Sequence, residues 1–123
     1  MLQLICDMEK SSYSDNDLIS VKTARGIEFI LYNEIIFIKA DLRYSQIYVK
    51  DQPNPVKVYS PMNSLERILP GDLFYRCHRS YLINMKFRKV LGKNRTMHLA
   101  GNHIIPVSRK CMKDLLRRSL SEA

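Results

Sequence analysis

The side chains best suited to binding chemistry lie between Phe74 and Asn84, where the sequence reads FYRCHRSYLIN. Short apolar runs flank three residues with cationic or hydrogen-bonding side chains, Arg76, His78 and Arg79. We predict a strand, a turn and a returning strand, because this pattern buries its ends and leaves the polar groups at the bend. Such groups can donate hydrogen bonds to phosphates and base edges. The stretch therefore predicts a turn that binds an anionic surface, and nothing in it points to catalysis.

Two further polar clusters accompany this stretch. The bend from Asp41 to Ser45 carries one cation, Arg43, and Ser108 is the predicted N-cap of the last helix. Basic residues fill the first turn of that helix, namely Arg109, Lys110 and Lys113. A helix N-terminus is partly positive, so each cation there costs roughly 0.3–1 kcal/mol, and a bound phosphate would reverse the sign. The cluster predicts an anion site, with chance placement of surface cations as the alternative.

Catalytic and metal-binding interpretations find little support. Cys77 and His78 are neighbours on a predicted strand, so their side chains point to opposite faces and cannot easily pair as nucleophile and base. His98 and His103 flank a turn, but no third or fourth metal ligand lies near them in sequence. No pair of carboxylates accompanies the basic residues, which argues against nuclease chemistry. We expect no enzyme activity, no metal and no cofactor.

The composition is that of a single globular domain. The chain has 123 residues, of which 46% are hydrophobic and 26% charged, which suffices for one core. It contains no apolar run of about 18 residues and no signal peptide, so we expect a cytoplasmic protein without a membrane partner. The cysteines Cys6, Cys77 and Cys111 are scattered and odd in number, which suits a reducing compartment.

Positive charge is concentrated in the C-terminal part of the chain. The net charge is +8. Residues 1–75 hold 8 Lys and Arg against 10 Asp and Glu, whereas residues 76–123 hold 12 against 2. A solvated basic surface is the ordinary explanation, but this asymmetry favours a polyanionic partner, nucleic acid before an acidic membrane.

Periodicity divides the chain into a linker-like segment, residues 1–17, and one β-rich domain, residues 18–123. Alternating apolar residues predict a hairpin over residues 18–32, with Ile27, Phe29 and Leu31 on one face of its second strand. Further strands are predicted at residues 35–40, 45–50, 56–60, 74–77, 87–91, 96–99 and 103–107. Ser60 and Pro61 predict the start of a short helix that ends at Pro70 and Gly71. The last helix has an apolar stripe formed by Cys111, Met112, Leu115, Leu116 and Leu120.

Taken in chain order, the three polar clusters resemble those of the LytTR family, the LytR/AgrA-type DNA-binding domain of bacterial transcription regulators. The resemblance covers about Leu18 to Leu120. It is carried by Ala40 and Tyr44 around the first bend, by Ser64-Leu65 in the short helix, and by the blocks FYRCHRSYLIN (Phe74 to Asn84) and GNHIIPVSR (Gly101 to Arg109). The last two blocks match the family almost residue for residue, so the resemblance is specific.

The resemblance implies a mainly β, elongated domain of several small antiparallel sheets with two short helices. Loops of this domain, rather than a recognition helix, would enter successive major grooves of double-stranded DNA. The implied contact residues are Arg43, Ser45, His78, Arg79, Asn84, Arg109, Lys110 and Lys113. It also implies a transcription regulator of the two-component response-regulator type that binds promoter direct repeats as a pair, as a dimer on DNA. The usual receiver domain is not in this chain, so the regulator is either a stand-alone domain or a longer protein whose receiver domain is missing here.

The sequence departs from the family pattern in the first bend. Family members often carry an acid before the Ala, where this chain has Lys39, and Gly-Asn where it has Leu42-Arg43. Gly and Asn tolerate left-handed backbone that Leu and Arg resist. We therefore expect the first bend to be shaped differently here.

Two other classes of function remain open from the sequence alone. A β-rich RNA-binding or ribosome-associated module would stack single-stranded bases on exposed aromatic rings. Trp is absent, and Tyr44 and Tyr81 are the rings to examine. A basic patch that only docks on a protein or an anionic membrane would bind nucleic acid weakly and without sequence preference.

Overall fold

A computed structural model describes residues 17–121 of the chain. Its strands are β1 (Leu18–Thr23), β2 (Gly26–Leu31), β3 (Ile35–Asp41), β4 (Tyr44–Val49), β5 (Val56–Val58), β6 (Phe74–His78), β7 (Tyr81–Asn84), β8 (Arg88–Gly92), β9 (Thr96–Leu99) and β10 (His103–Pro106). Its helices are α1 (Met62–Ile68) and α2 (Arg109–Ser121). The predicted mainly β fold with antiparallel sheets and two short helices is confirmed. The predicted linker-like segment, except for Asp17, lies outside the described residues.

A five-stranded sheet in the order β5-β4-β3-β7-β6 forms the centre of the domain. One face packs against α1 and the β1–β2 hairpin, and Ile38 and Leu82 are fully buried in that core. The other face packs against β9, β10 and α2, with Ile83 and Leu115 buried between them. The continuous apolar run of β3 predicted a strand covered on both faces, and this is confirmed.

A bulge lets β3 serve both cores. The pairing of β3 with β4 shifts register between Ile35 and Phe37. Ile36 and Phe37 consequently both belong to the second core, while Ile35 and Ile38 belong to the first. A bulge opposes two residues to one and so interrupts the alternation of faces, which is why four consecutive apolar residues can all be buried.

The β1–β2 hairpin is confirmed, but the apolar alternation of β2 faces outward. Val21 pairs with Glu28 and Ile19 pairs with Ile30, so the face of β2 that meets the core carries Glu28 and Ile30. Ile27 and Phe29 lie on the opposite face and are exposed.

The start of α1 differs from the prediction. Pro61, rather than Ser60, occupies the N-cap position, and no side chain caps the helix. The carbonyl of Pro61 accepts the amides of Ser64 and Leu65. The Ser60 carbonyl instead accepts the Ser45 hydroxyl at 2.7 Å. The predicted end of the helix before Pro70 and Gly71 is confirmed.

Only part of the apolar stripe of α2 is buried. Leu115 is buried and Cys111 and Met112 are half-buried, whereas Leu116 and Leu120 are exposed. The helix packs on β6 and the second core along one narrow line, so the outer residues of the stripe find no cover within the described residues. Neither α1 nor α2 is long and apolar enough to span a membrane.

Candidate nucleic-acid interface

Two turns project from the same end of the central sheet. The first turn, Leu42-Arg43, joins β3 to β4, and the second turn, Arg79-Ser80, joins β6 to β7. β3 and β7 are antiparallel neighbours, so the end of β3 lies beside the start of β7. The amide of Ala40 donates to the carbonyl of Ser80 at 2.9 Å and links the two turns directly. The sheet therefore brings together two clusters that are almost forty residues apart in sequence.

The first turn is strained and apolar at its tip. Leu42 has a left-handed backbone (φ 59°) and is 93% exposed. The expected resistance of a leucine to this conformation does not prevent it, although the cost for a residue other than glycine is about 1–2 kcal/mol. Arg43 is also exposed. At the base of the turn, Gln46 Nε2 donates to Asp41 Oδ2 at 3.2 Å.

The second turn is held by a side chain from beneath. Two-residue hairpins favour turns with positive φ, but neither Arg79 nor Ser80 has one. Arg76 supplies the missing constraint: its Nε donates to the carbonyl of His78 at 3.3 Å and its Nη2 donates to the carbonyl of Arg79. The Arg76 guanidinium is thus engaged with the backbone of the turn, and the Arg79 side chain is exposed at the tip.

Arg76 is itself anchored to α1. Its Nη1 donates to Asn63 Oδ1 at 2.8 Å and to Glu66 Oε1 at 2.7 Å. The ion pair with Glu66 neutralises the charge of Arg76 locally. Arg76 therefore joins α1, β6 and the second turn into one unit rather than adding a cation to the surface.

His78 is oriented by the same turn. Its Nδ1 accepts the amide of Ser80 at 3.1 Å, and its half-buried ring packs edge-on against Tyr81. A neutral imidazole that accepts at Nδ1 carries its proton on Nε2. His78 can therefore donate a hydrogen bond from Nε2 beside Arg79.

The start of α2 lies next to the second turn. The amide of Ser108 donates to the carbonyl of Cys77 on β6 at 2.8 Å. The predicted N-cap is confirmed, because the amide of Cys111 donates to Ser108 Oγ at 3.2 Å. The three basic residues of this helix start are all exposed: Arg109, Lys110 and Lys113. The third cluster thus joins the other two at one end of the molecule.

A polar lock fixes α2 to β6. Asp114 accepts hydrogen bonds from the Tyr75 hydroxyl at 2.8 Å and from Arg117 at 2.6 Å, and Arg118 lies 3.2 Å from the same carboxylate. The Tyr75 hydrogen bond is the largest of the effects that hold the pKa of Asp114 below its usual range. The Arg118 guanidinium also lies over the Tyr75 ring. The basic start of α2 therefore belongs to a helix that is held in place against β6.

Two predicted contact residues are fully buried. The Ser45 hydroxyl donates to the Ser60 carbonyl, and Asn84 Nδ2 donates to the carbonyl of Ile35 at 2.9 Å. Asn84 Oδ1 also accepts the amide of Lys86 at 2.9 Å. Both side chains are satisfied inside the domain and have no surface to offer DNA. Ser45 and Asn84 therefore support the strands that carry the turns, and their buried side chains are not available for contact with DNA.

The structure places near the clusters two exposed cations that were not among the predicted contact residues. Lys39 is exposed on β3 and pairs with Tyr81, the first residue of β7 after the second turn. Arg95 is exposed in the β8–β9 turn, and its carbonyl accepts the amide of Val107 just before α2. The pairing of β3 with β7 brings Lys39, which is close to the first bend in sequence, beside the second turn as well, and the contact with Val107 brings Arg95 near the start of α2.

Acidic side chains mark the opposite end of the central sheet. Exposed carboxylates lie in the segments that connect strands there, at Glu34, Asp51 and Asp72. Exposed Lys50 and Lys86 lie among these carboxylates, so that end has mixed charge, whereas the end with the turns is cationic. A polyanion would be attracted to the end with the turns rather than to the other.

The geometry gives no support to a catalytic cysteine. Cys77 is fully buried at a register shift in β6, and burial is the main cause that raises its thiol pKa to about 12. Its Sγ lies 3.6 Å from the carbonyl of Pro106. The thiol is therefore protonated and unreactive at neutral pH. Over residues 17–121, no three His, Cys, Asp or Glu side chains are grouped to hold a metal ion.

The fold and this cationic end define a β-rich domain whose exposed cations lie on turns and at a helix start rather than along a helix face. The model of the LytTr DNA-binding domain family matches residues 25–119. The match spans most of the chain, so the protein belongs to the LytTR family of DNA-binding domains.

A solved structure supports the same fold. The chain is similar to the LytTr DNA-binding domain of a Bacillus cereus protein named as a methyl-accepting/DNA response regulator, with a TM-score of 0.67 and 20% sequence identity. The similarity covers 85% of this chain and 96% of that one. No curated protein sequence matched the chain.

Proposed function

We propose that the domain binds double-stranded DNA with sequence preference, as the output domain of a bacterial transcription regulator, through the first turn, the second turn and the start of α2. The observation that carries the proposal is their position at one end of the central sheet, with exposed Arg43, Arg79 and Arg109. Turns of this size can enter a major groove, which is about 12 Å wide.

Each exposed side chain has a role that follows from its chemistry. Arg79 and Arg43 can donate two parallel hydrogen bonds to the O6 and N7 atoms of a guanine. His78 would donate one hydrogen bond from Nε2 to a base or a phosphate. Lys110 and Lys113 would bind phosphates together with the free amides at the start of α2.

A duplex suits this surface better than single-stranded RNA. Tyr81 is half-buried and its ring contacts His78 and Phe37. Tyr44 is 38% exposed, but its ring packs against Tyr59 and lies under the ammonium of Lys57. Rings that are already engaged offer little open face for stacking of unpaired bases.

The wider setting is also part of the proposal. The domain would occupy residues 18–123 after a linker, bind promoter direct repeats as a pair in the cytoplasm, and receive its signal from a receiver domain elsewhere in the regulator. It would act without a cofactor or enzyme activity of its own.

Selection of bound duplexes from a random pool at near-physiological salt tests the proposal. The chain should enrich a defined motif. Arg79→Ala should relax the preference at one position by roughly 1–3 kcal/mol. Lys50→Ala removes a cation at the opposite end and serves as the matched control, with no effect on the motif. Failure to enrich any motif, or equal binding of single-stranded RNA, would contradict the proposal.

A salt titration tests the phosphate role of α2. Neutralising one phosphate contact lowers the slope of log affinity against log salt by about 0.9. Arg109→Ala combined with Lys110→Ala should therefore flatten the slope by one to two such contacts and weaken all duplexes alike. An unchanged slope would remove the helix start from the interface.

A further inference from the structure

Leu42 combines two unfavourable features at the tip of the first turn. It is the most exposed of the large hydrophobic side chains in the described part of the chain, at 93%. Its backbone is left-handed, with φ 59°, a conformation that suits glycine or asparagine and not leucine. A glycine at this position would remove both the backbone strain and the exposed apolar side chain. The free protein gains nothing visible from a leucine there, which points to a bound partner.

The surroundings of Leu42 identify the kind of partner. Arg43 follows it in the turn, and the exposed guanidinium of Arg79 and ammonium of Lys39 lie at the same end of the sheet. An apolar protein groove would be a poor match for so many cations. A polyanion with an apolar group recessed between its charges fits both features at once.

Duplex DNA offers one such group in the major groove. The edge of each base pair there presents hydrogen-bond donors and acceptors, and thymine adds the methyl group on C5. We propose that Leu42 is a specificity-determining residue that contacts the C5-methyl group of a thymine. This inference rests on the proposed DNA binding. It explains why an apolar side chain stands at the tip of a turn whose other outward group is a cation.

Replacement of thymine by deoxyuridine removes only the methyl group and keeps every hydrogen bond. The duplex selected by the native chain would be remade with one substitution at a time, and affinities measured for the native chain and for Leu42→Gly. The native chain should lose about fourfold at one position, the value of one buried methyl group. Leu42→Gly should bind the thymine and deoxyuridine duplexes equally.

Arg43→Ala is the matched control in the same turn. It should weaken binding to both duplexes but keep the fourfold ratio between them, since it retains Leu42. A native chain that is insensitive to every substitution, or a Leu42→Gly chain that keeps the native ratio, would overturn the inference while leaving the proposed function intact. A chain that selects no duplex at all would overturn both. Equal or stronger binding to anionic lipid vesicles that is lost in Leu42→Gly would assign the leucine to a membrane instead.

Discussion

The first and second turns lie side by side at one end of the central sheet, yet they are stabilised in opposite ways. The first turn stores backbone strain at Leu42 and exposes an apolar tip. The second turn has ordinary backbone angles and is held from beneath by the guanidinium of Arg76. The Arg76 hydrogen bonds hold the backbone of the turn in one conformation before binding, which reduces the entropy lost on association. We infer that the backbone of the second turn is the more rigid of the two. The contacts of the first turn with base edges should then be the more variable ones.

The largest effect on stability is expected at Asn84, which supports both turns. Asn84 on β7 bonds the Ile35 carbonyl at the base of β3, so it ties together the strands that carry the two turns. Asn84→Ala leaves a buried carbonyl and the amide of Lys86 without this partner, which should lower the free energy of unfolding by roughly 2–4 kcal/mol. Urea denaturation measures it. Asn94→Ala, an exposed asparagine in the β8–β9 turn, should change stability by less than about 0.5 kcal/mol.

Loss of the Arg76 clamp should loosen the second turn and its link to α1 but leave the first turn unchanged. Arg76→Met keeps much of the side-chain volume but removes the donors to His78 and Arg79, so we expect a roughly tenfold loss of DNA affinity, about 1.4 kcal/mol. Amide exchange should rise at Ser80 and stay unchanged at Arg43. Arg67→Met, an exposed arginine on α1, is the control. Equal loosening of both turns would show that the clamp does not distinguish them.

Relief of strain should affect the first turn alone. Leu42→Gly removes a left-handed cost of about 1–2 kcal/mol and adds an unfolded-state entropy cost of about 0.5–1 kcal/mol. The free energy of unfolding should therefore rise by about 0.5 kcal/mol, measured by thermal or urea denaturation. Leu42→Ala keeps the Cβ atom and should give no such gain. A destabilised glycine variant would mean that the turn is not strained.

The smallest effect on stability is expected in α2, whose start is the third part of the proposed interface. The folded-state pKa of Asp114 is lowered, so its contribution to stability is present above the unfolded pKa of about 3.9 and is lost as pH falls through the folded value. Asp114→Asn should lower stability at pH 7 and approach the native value in more acidic buffer. Denaturation curves between pH 7 and pH 3 would reveal it, and a difference independent of pH would contradict the assignment.

Much of this arrangement could be predicted from the sequence, and the reasons for the rest are physical. Alternating apolar residues locate strands because burial on a sheet has period 2, and the basic first turn of α2 is visible locally. Sequence does not reveal that β3 lies beside β7, so the proximity of Lys39 to the second turn had to come from the structure. The outward face of β2 and the burial of Ser45 depend on register, which a single strand does not encode.

The role of a polar residue was hardest to predict where its side chain could either contact DNA or hydrogen-bond to the backbone of the domain itself. Asn84 and Arg76 lie inside the block that resembles the family, where a polar side chain suggests a contact with DNA. Both instead satisfy backbone groups within the domain. A polar residue flanked by apolar neighbours can as well be a buried structural group, and only the partners of its hydrogen bonds decide.

Titration of the isotope-labelled chain with its selected duplex, followed by amide NMR, tests most directly whether the two turns and the start of α2 form one DNA-binding surface. The largest shifts should fall on Leu42 and Arg43, on His78 to Ser80 and on Arg109 and Lys110, all in the same range of added DNA. The opposite end of the central sheet, around Asp51 and Asp72, should stay unchanged. Shifts concentrated at that end, or confined to one turn while the other does not respond, would contradict the account.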